Sequence, residues 1–332
     1  MDFADLYRAD SYRALKEHAA LGSIAPRGAI GLAGKDRAGY LQGLLTNDIQ
    51  ALTPGTGCYS AWLSPQGRML TDLHVLESGD MILLDVPAAA VQDTLQRLDQ
   101  FLFSEDVQVA DLSASLRSVW LHGPRAAALL ERVVSGIEGL AAWPEYTNAR
   151  GEFAAAPVSV ARISQLGTPG YCVYVEAAQE HALLRALEGA GASTASREVL
   201  EAARVEAGYP IFGMDMTEDT IPLEAGIEER AISFSKGCYV GQEVIIRVLH
   251  RGHGRVAKKL VALTIDDGVA VPGALILSGE REIGVVTSAA ESPRVGAIAL
   301  GYVHRDFVAP GTRVDVQIGR RASATVTERP IP

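Results

Sequence analysis

Mixed strand and helix signals before residue 250, joined by hairpins rather than strict strand-helix alternation, and a helix-free, turn-rich stretch after His250 predict an α+β chain. The boundary divides it into an α+β region, 1–250, and a C-terminal all-β domain, 251–332, read as a small barrel or sandwich. From Lys35 to Asn47 the residues Tyr40, Leu41, Leu44 and Leu45 recur at helical spacing, and Asp36 suits a helix N-terminus. Gly57–Leu63 and Arg68–Val75 flank the turn Ser64-Pro65-Gln66-Gly67 and read as an antiparallel hairpin. Met81 to Val86 is a strand, and Pro87 opens a helix whose stripe is Val91, Leu95 and Leu98. Ser118–Leu121 leads through Gly123-Pro124 into a helix with Ala127, Leu130 and Val134, and Tyr171–Val175 with a helix around His181–Leu187 repeats that theme. A helix from Ser196 to Ala207 stops at Gly208 and Pro210. Short β-rich runs follow at 260–265, 275–277, 283–287, 297–303 and 313–318.

Bulk composition narrows the class. A chain of 332 residues suits two or three domains, and 48% hydrophobic with 21% charged residues is globular. Thirty Lys plus Arg against forty Asp plus Glu give a net charge of -10, which argues against direct nucleic-acid binding or attachment to anionic membranes. Cys58, Cys172 and Cys238 form no CxxC pair and no complete disulfide set, which fits a reducing cytosol. The start, Met1-Asp2-Phe3-Ala4-Asp5, lacks a signal-peptide pattern, and charges interrupt every apolar run before membrane-spanning length. A cytoplasmic monomer is the expectation.

The run Lys236-Gly237-Cys238-Tyr239-Val240-Gly241-Gln242-Glu243 concentrates a thiol, a cation, an amide, a carboxylate and two glycines in eight residues. The glycines allow a tight turn that presents Cys238, and Lys236 two positions away would favour its thiolate. The same run also reads as a strand-entry turn with core Cys and Tyr, since a lone Cys is commonly buried and inert. Downstream, Arg247, His250, Arg251, His253, Arg255, Lys258 and Lys259 form a basic stretch suited to the acidic tail of a ligand, a phosphate, an acidic partner or simply solvent. His250 and His253 lack a third ligand at zinc-like spacing, so no metal site is expected.

The octapeptide resembles the K-G-C-Y-x-G-Q-E signature of the YgfZ family, folate-binding proteins related to the glycine-cleavage T-protein, an aminomethyltransferase. Leu41–Asp48, Gly57-Cys58-Tyr59 through Gly67-Arg68 to Asp72, and Arg204–Gly208 through Thr220–Gly226 resemble the same family in its order. The resemblance runs from about residue 25 to 325. It implies three subdomains in a ring around a central tetrahydrofolate site, two of them interleaved in the α+β region and the third a C-terminal barrel. It also implies a role as an accessory protein for iron-sulfur cluster assembly or repair, including support of iron-sulfur enzymes that modify tRNA, with iron-sulfur client or assembly proteins as partners. The alternative is a folate-dependent aminomethyltransferase of the T-protein type.

The resemblance also assigns site residues. Glu206 would accept the N-H and amino group of a pterin as a two-point hydrogen bond. Tyr59 would line the folate, and Asn47 would supply an amide. Asp72 lies where the T-protein carries its catalytic aspartate, a carboxylate that stabilises positive charge as a methylene bridge opens. Thr71 replaces the first of the acidic pair that the T-protein carries there. Cys238 would be the reactive thiol, with Lys236 tuning it; one thiol cannot by itself hold a four-ligand cluster. Cys58 is assigned to structure.

Overall fold

The computed structural model describes residues 3–250 and 254–332. Arg251 and His253 of the basic stretch lie outside the described residues. The chain begins with α1 (Phe3–Glu17) and β1 (Ala20–Leu21), then β2 (Arg27–Ala33), α2 (Arg37–Leu44), β3 (Gly57–Leu63), β4 (Met69–Glu77), β5 (Met81–Pro87), α3 (Val91–Gln100) and β6 (Gln108–Asp111). It continues with β7 (Leu116–His122), α4 (Ala126–Val133), β8 (Asn148–Phe153), β9 (Ala156–Arg162), β10 (Gly170–Glu176), α5 (Glu180–Ala190), β11 (Ser193–Thr194) and α6 (Arg197–Glu206). Three short helices follow, α7 (Pro222–Ala225), α8 (Glu228–Ala231) and α9 (Gln242–His250).

Strands β3-β4-β5-β2-β6 form one antiparallel sheet, and β11-β1-β7-β10-β9-β8 form a second. Because β1 precedes the first sheet in sequence but pairs with β7 and β11 of the second, the two units interleave. Each sheet is covered on one side by helices. Leu41, Leu45 and Leu98 pack on Ile30, Leu73 and Leu84 of the first, and Leu130, Leu183 and Leu187 pack on Val119, Val160 and Val173 of the second. Between the sheets lies a thinner apolar layer of Leu76, Leu83, Trp120, Ile163 and Cys172. Alternation along β4 and β5 therefore sends one set of side chains to the helices and the other toward the second sheet.

The C-terminal strands are β12 (Lys258–Ile265), β13 (Leu275–Ser278), β14 (Arg281–Ser292), β15 (Gly296–His304), β16 (Arg313–Gln317) and β17 (Arg321–Thr327). They close in the order β12-β15-β14-β13-β16-β17, with β17 returning to β12. Of the two all-β forms open to the sequence, the structure adopts the barrel, which removes both sheet edges and surrounds Leu263, Ile276, Val303, Val316 and Val326. The strand runs expected from the sequence appear here, together with β17, which its Arg-Ala-Ser-Ala-Thr-Val-Thr composition left unread. Helices α1 and α9 also went unread.

Helix α6 ties the barrel to the rest. Ser196 caps it by accepting a hydrogen bond from Val199 N; Leu200 and Ala203 pack with Tyr12 and Leu15 of α1, while Ala202 and Val205 pack with Leu260 and Leu300 of the barrel. Arg204, fully buried, donates to Glu201 Oε2 at 2.9 Å, to the Tyr209 carbonyl at 2.7 Å and to Asp215 Oδ2 at 2.7 Å. Asp215 Oδ1 in turn accepts from Thr287 and Ser288 of β14 at 2.6 and 2.7 Å. Arg204→Met leaves Asp215 charged, buried and without its cation, so urea denaturation should show a loss of about 3–5 kcal/mol.

Candidate functional site

The first sheet builds a polar row on the face turned toward the second sheet. In the β3/β4/β5 register Tyr59 lies opposite His74, and His74 opposite Asp85. Asp72 is two residues from His74 on β4 and shares its face, while Arg27 stands two residues from Ala29, the β2 partner of Asp85. Diagonal neighbours on one face are within reach of long side chains, and these are used. The Tyr59 hydroxyl donates to Asp72 Oδ2 at 2.8 Å. Arg27 Nε donates to Asp85 Oδ1, its Nη2 to the Asp85 carbonyl at 2.6 Å, and its Nη1 lies 3.5 Å from Asp72 Oδ1. From the second sheet the Tyr174 hydroxyl donates to Asp85 Oδ2 at 2.6 Å.

All of these groups are withdrawn from water: Tyr59 and Asp85 are 0% exposed, Asp72 3% and His74 1%. Burial opposes the charge on Arg27, but Asp85 and Asp72 outweigh it and hold the guanidinium protonated. Burial likewise opposes the charge on Asp85, yet Arg27, His74 and Tyr174 keep the carboxyl well below the usual range. Burial, against the pull of Asp85, lowers His74, so its ring is neutral. On the outer side Arg230 of α8 stacks its guanidinium over Tyr59 at 4.5 Å and over Tyr209 at 4.0 Å. Tyr146, at a positive φ of 65°, stacks on His74.

Two cavities meet behind this row. The inner one, about 20 Å³, is lined by Arg27, Asp72, His74, Trp120, Gln165 and Tyr209, together with Ser23, Ile24, Ala25 and Ile211. The outer one, about 630 Å³, shares Ser23, Ile24, Ala25 and Ile211 as its wall and is otherwise largely apolar, with Phe212, Met214 and Leu200. His74 Nε2 and Trp120 Nε1 are buried without a hydrogen-bond partner among the described residues.

The structure brings Asp72 and Tyr59 together and sets the other sequence-assigned residues elsewhere. Asn47 lies behind β3, where its amide donates to the carbonyls of Tyr59 at 2.8 Å and Arg230 at 3.0 Å. Glu206 borders a separate cavity of about 610 Å³ with Tyr12, Lys16 and Arg294. Its oxygens are engaged there: Tyr12 donates to both at 2.8 and 2.7 Å, Ser292 donates to Oε1, and Lys16 Nζ lies 3.2 Å from Oε2. It thus fastens α1 and the barrel to the end of α6.

The octapeptide folds differently from the tuned-thiol expectation. Lys236 Nζ donates to the carbonyls of Gln42, Leu45 and Asn47 at 2.7, 2.7 and 2.8 Å, capping the C-terminal end of α2. Burial brings Lys236 down to about 8, and its charge bears on Asp48 and Cys58. Only Gly241 has positive φ, at 85°; a side chain there would collide with the Ser64 carbonyl and Leu63 of the β3-β4 turn. Cys238 is exposed, whereas Cys172 is buried and Cys58 half-buried. Burial pushes the Cys58 thiol up to about 12 and raises Cys172 as well.

Arg27, His74, Asp85, Tyr174 and Arg230 were not singled out from the sequence. The readable signal was polar residues inside apolar strands: Asp85 interrupts Ile82-Leu83-Leu84, and Asp72 and His74 alternate within β4. Which of them meet depends on strand register. Among the described residues no group of three or more His, Cys, Asp or Glu could hold a metal ion, and no helix is long and apolar enough to cross a membrane.

An α+β body of two interleaved sheets joined to a six-stranded closed barrel is a fold shared with a solved structure. Glycine cleavage system aminomethyltransferase T from Bartonella henselae superposes with a TM-score of 0.86, covering 97% of this chain and 89% of that one at 24% identity. Residues 3–236 match the GCVT N-terminal domain and residues 258–331 the glycine cleavage T-protein C-terminal barrel domain. The chain belongs to the glycine cleavage T-protein family. It is 30% identical to an aminomethyltransferase of Rubrobacter xylanophilus over 97% of this chain and 82% of that protein. It is also 31% identical to one of Moorella thermoacetica, over 97% of this chain and 88% of that protein. These relatives overturn the expected accessory role in iron-sulfur cluster assembly and its link to tRNA modification.

Two measurements follow from the burial. A native-state thiol titration should modify Cys238 alone, with Cys58 and Cys172 reacting only on unfolding. Burial pushes His122 of β7 down to about 4. The unfolded ring binds its proton near pH 6.5 while the folded one does not, so the unfolded state gains protons as pH falls through this window. Denaturation at pH 7.5 and 4.5 should show this group's share of stability, about 3 kcal/mol, present above the window and lost toward pH 4, with a smaller difference in His122→Gln.

Proposed function

We propose that this protein is a tetrahydrofolate-dependent aminomethyltransferase of the T-protein type, with Asp72 as its catalytic carboxylate. The observation that carries the reading is Asp72 itself, 97% withdrawn from solvent and held by the Tyr59 hydroxyl beside a cavity with two unpaired nitrogens. Tetrahydrofolate would supply the nitrogens that accept the one-carbon unit. The residues present fit such a ligand. The inner cavity offers a carboxylate, and the unpaired nitrogens of His74 and Trp120 ask for polar partners. The outer cavity has the volume of a typical cofactor site and apolar walls for an aromatic ring.

The chain's own residues divide the work. Tyr59 orients Asp72 by donating to Oδ2, leaving the carboxylate to face developing positive charge on a substrate nitrogen. Arg27 Nη1 stands 3.5 Å from Asp72 Oδ1, while its main partner is Asp85. Apolar walls exclude water and strengthen these interactions. Thr71 does not weaken the reading. Its side chain points to the opposite face of β4, toward a different cavity with Trp62, Asp93 and Arg97, so an acid lost there leaves Asp72 untouched. The octapeptide supports a finer placement, in the YgfZ branch of these folate-binding relatives.

Titration of the purified protein with tetrahydrofolate should show saturable binding, and adding an aminomethyl donor should give methylene transfer. Asp72→Asn should lower turnover by about 10²–10³-fold while binding falls far less. Absence of folate binding by the intact protein, or full turnover in Asp72→Asn, defeats the reading.

A further inference from the structure

The cavity faced by Thr71 lies on the helix side of the first sheet, away from Asp72, and holds about 140 Å³. At about 30 Å³ for each water in the liquid, that is room for about five waters or one small organic molecule. Its floor is built from Trp62 of β3, Thr71 of β4 and Thr94 of α3, each 2% exposed. Trp62 stands opposite Thr71 in the β3/β4 register, so both side chains leave the sheet on the α3 side. Thr71 Oγ1 reaches only the carbonyl of the next residue, at 3.2 Å, and among the described residues the Trp62 indole and the Thr94 hydroxyl make no hydrogen bond. Polar groups so withdrawn from bulk water call for partners.

The mouth carries charge. Asp93 and Arg97 stand four residues apart on α3, acid first, a spacing at which opposite charges ordinarily pair. Here they do not: among the described residues neither of them makes an ion pair or hydrogen bond, nor does Glu218, which lines the same cavity. Two carboxylates and one guanidinium thus meet a ligand uncommitted. A simple anion would face Asp93 and Glu218, a simple cation would face Arg97, and a neutral molecule pairs with neither sign. Only a ligand that carries both charges answers the whole mouth, and Leu70 and Phe212 offer apolar contact to the carbon between them.

We propose that this cavity binds a small α-amino acid with a polar side chain, its carboxylate on Arg97, its ammonium at Asp93 and Glu218, and its side chain directed at Trp62, Thr71 and Thr94. Residues four apart on a helix have Cβ atoms about 5–6 Å apart, so Asp93 and Arg97 can both reach groups held on one carbon. The neutral Thr71 matters too, since a carboxylate there would set three acids against one base. The site lies on the opposite face of β4 from Asp72 and does not depend on the function proposed above.

The probe is L-serine, added to the wild-type protein without folate. Of the three indole N-H resonances, that of Trp62 is identified by its loss in Trp62→Phe. L-Serine should shift it saturably. L-Alanine, with no hydroxyl for the floor, should bind about tenfold more weakly, while ethanolamine and 3-hydroxypropionate, which keep the hydroxyl but carry one charge each, should leave the resonance in place. Arg97→Gln should weaken L-serine by about tenfold or more with an unchanged near-UV circular dichroism spectrum, and Thr71→Val should narrow the preference for serine over alanine. No saturable shift with L-serine, an equal shift with ethanolamine or 3-hydroxypropionate, or undiminished binding in Arg97→Gln overturns the proposal and leaves a cleft that holds solvent only.

Discussion

The ion pair between Arg27 and Asp85 is the constraint on which the site depends. Both groups lie between two sheets where a lone charge would cost several kcal/mol, so each is tolerable only because the other is there. Asp85 completes its shell with Tyr174 from the second sheet, so the pair also fixes how the sheets face one another. Asp72 and His74 are then held at the edge of this network, each within 3.5 Å of Arg27 but without its full engagement. A carboxylate so placed is kept in position without being neutralised by a close cation.

Two other buried ionic groups play a different part. Lys236 answers the open carbonyls at the end of α2 and so docks the octapeptide onto the first sheet. Glu206 gathers Tyr12 and Lys16 of α1 and Ser292 of the barrel, from opposite ends of the chain. Both were assigned to chemistry on the strength of motif, and both hold elements together. Short motifs therefore carry two kinds of constraint, and residue type does not separate them. A buried Lys or Glu needs partners whether it serves folding or catalysis.

Much of the fold was legible. The 57–75 hairpin, the helices after Pro87, Gly123 and Ala195, and five of the barrel strands follow from alternation, helical spacing and turn residues, all of which are local. Helix α1 escaped because its sequence, Phe-Ala-Asp-Leu-Tyr-Arg-Ala-Asp-Ser-Tyr, mixes polar and apolar residues without a clean stripe, and its stability comes from docking against α6. Strand β17 escaped because small and polar residues face outward in a closed barrel and leave little hydrophobic signal. In the site, Asp72 and Tyr59 were found through their motif, whereas Arg27 and Asp85 were missed because neither belongs to a motif, and the break that Asp85 makes in an apolar strand does not say which group it meets.

The sequence by itself determined the α+β class, the C-terminal β domain, the nearness of Tyr59 to Asp72 across a hairpin, and the kinship with the glycine-cleavage T-protein, because period-2 alternation, tight turns and motifs act over a few residues each. Tertiary structure alone decided that the β domain closes into a barrel and that Arg27 meets Asp85. It also decided that Lys236 serves α2 rather than Cys238, and that Glu206 faces a different cavity from Asp72. The reason is physical. Each of those outcomes follows from which distant groups must share a low-dielectric interior, and the cost of burying a charge is settled only when the whole chain has chosen its partners.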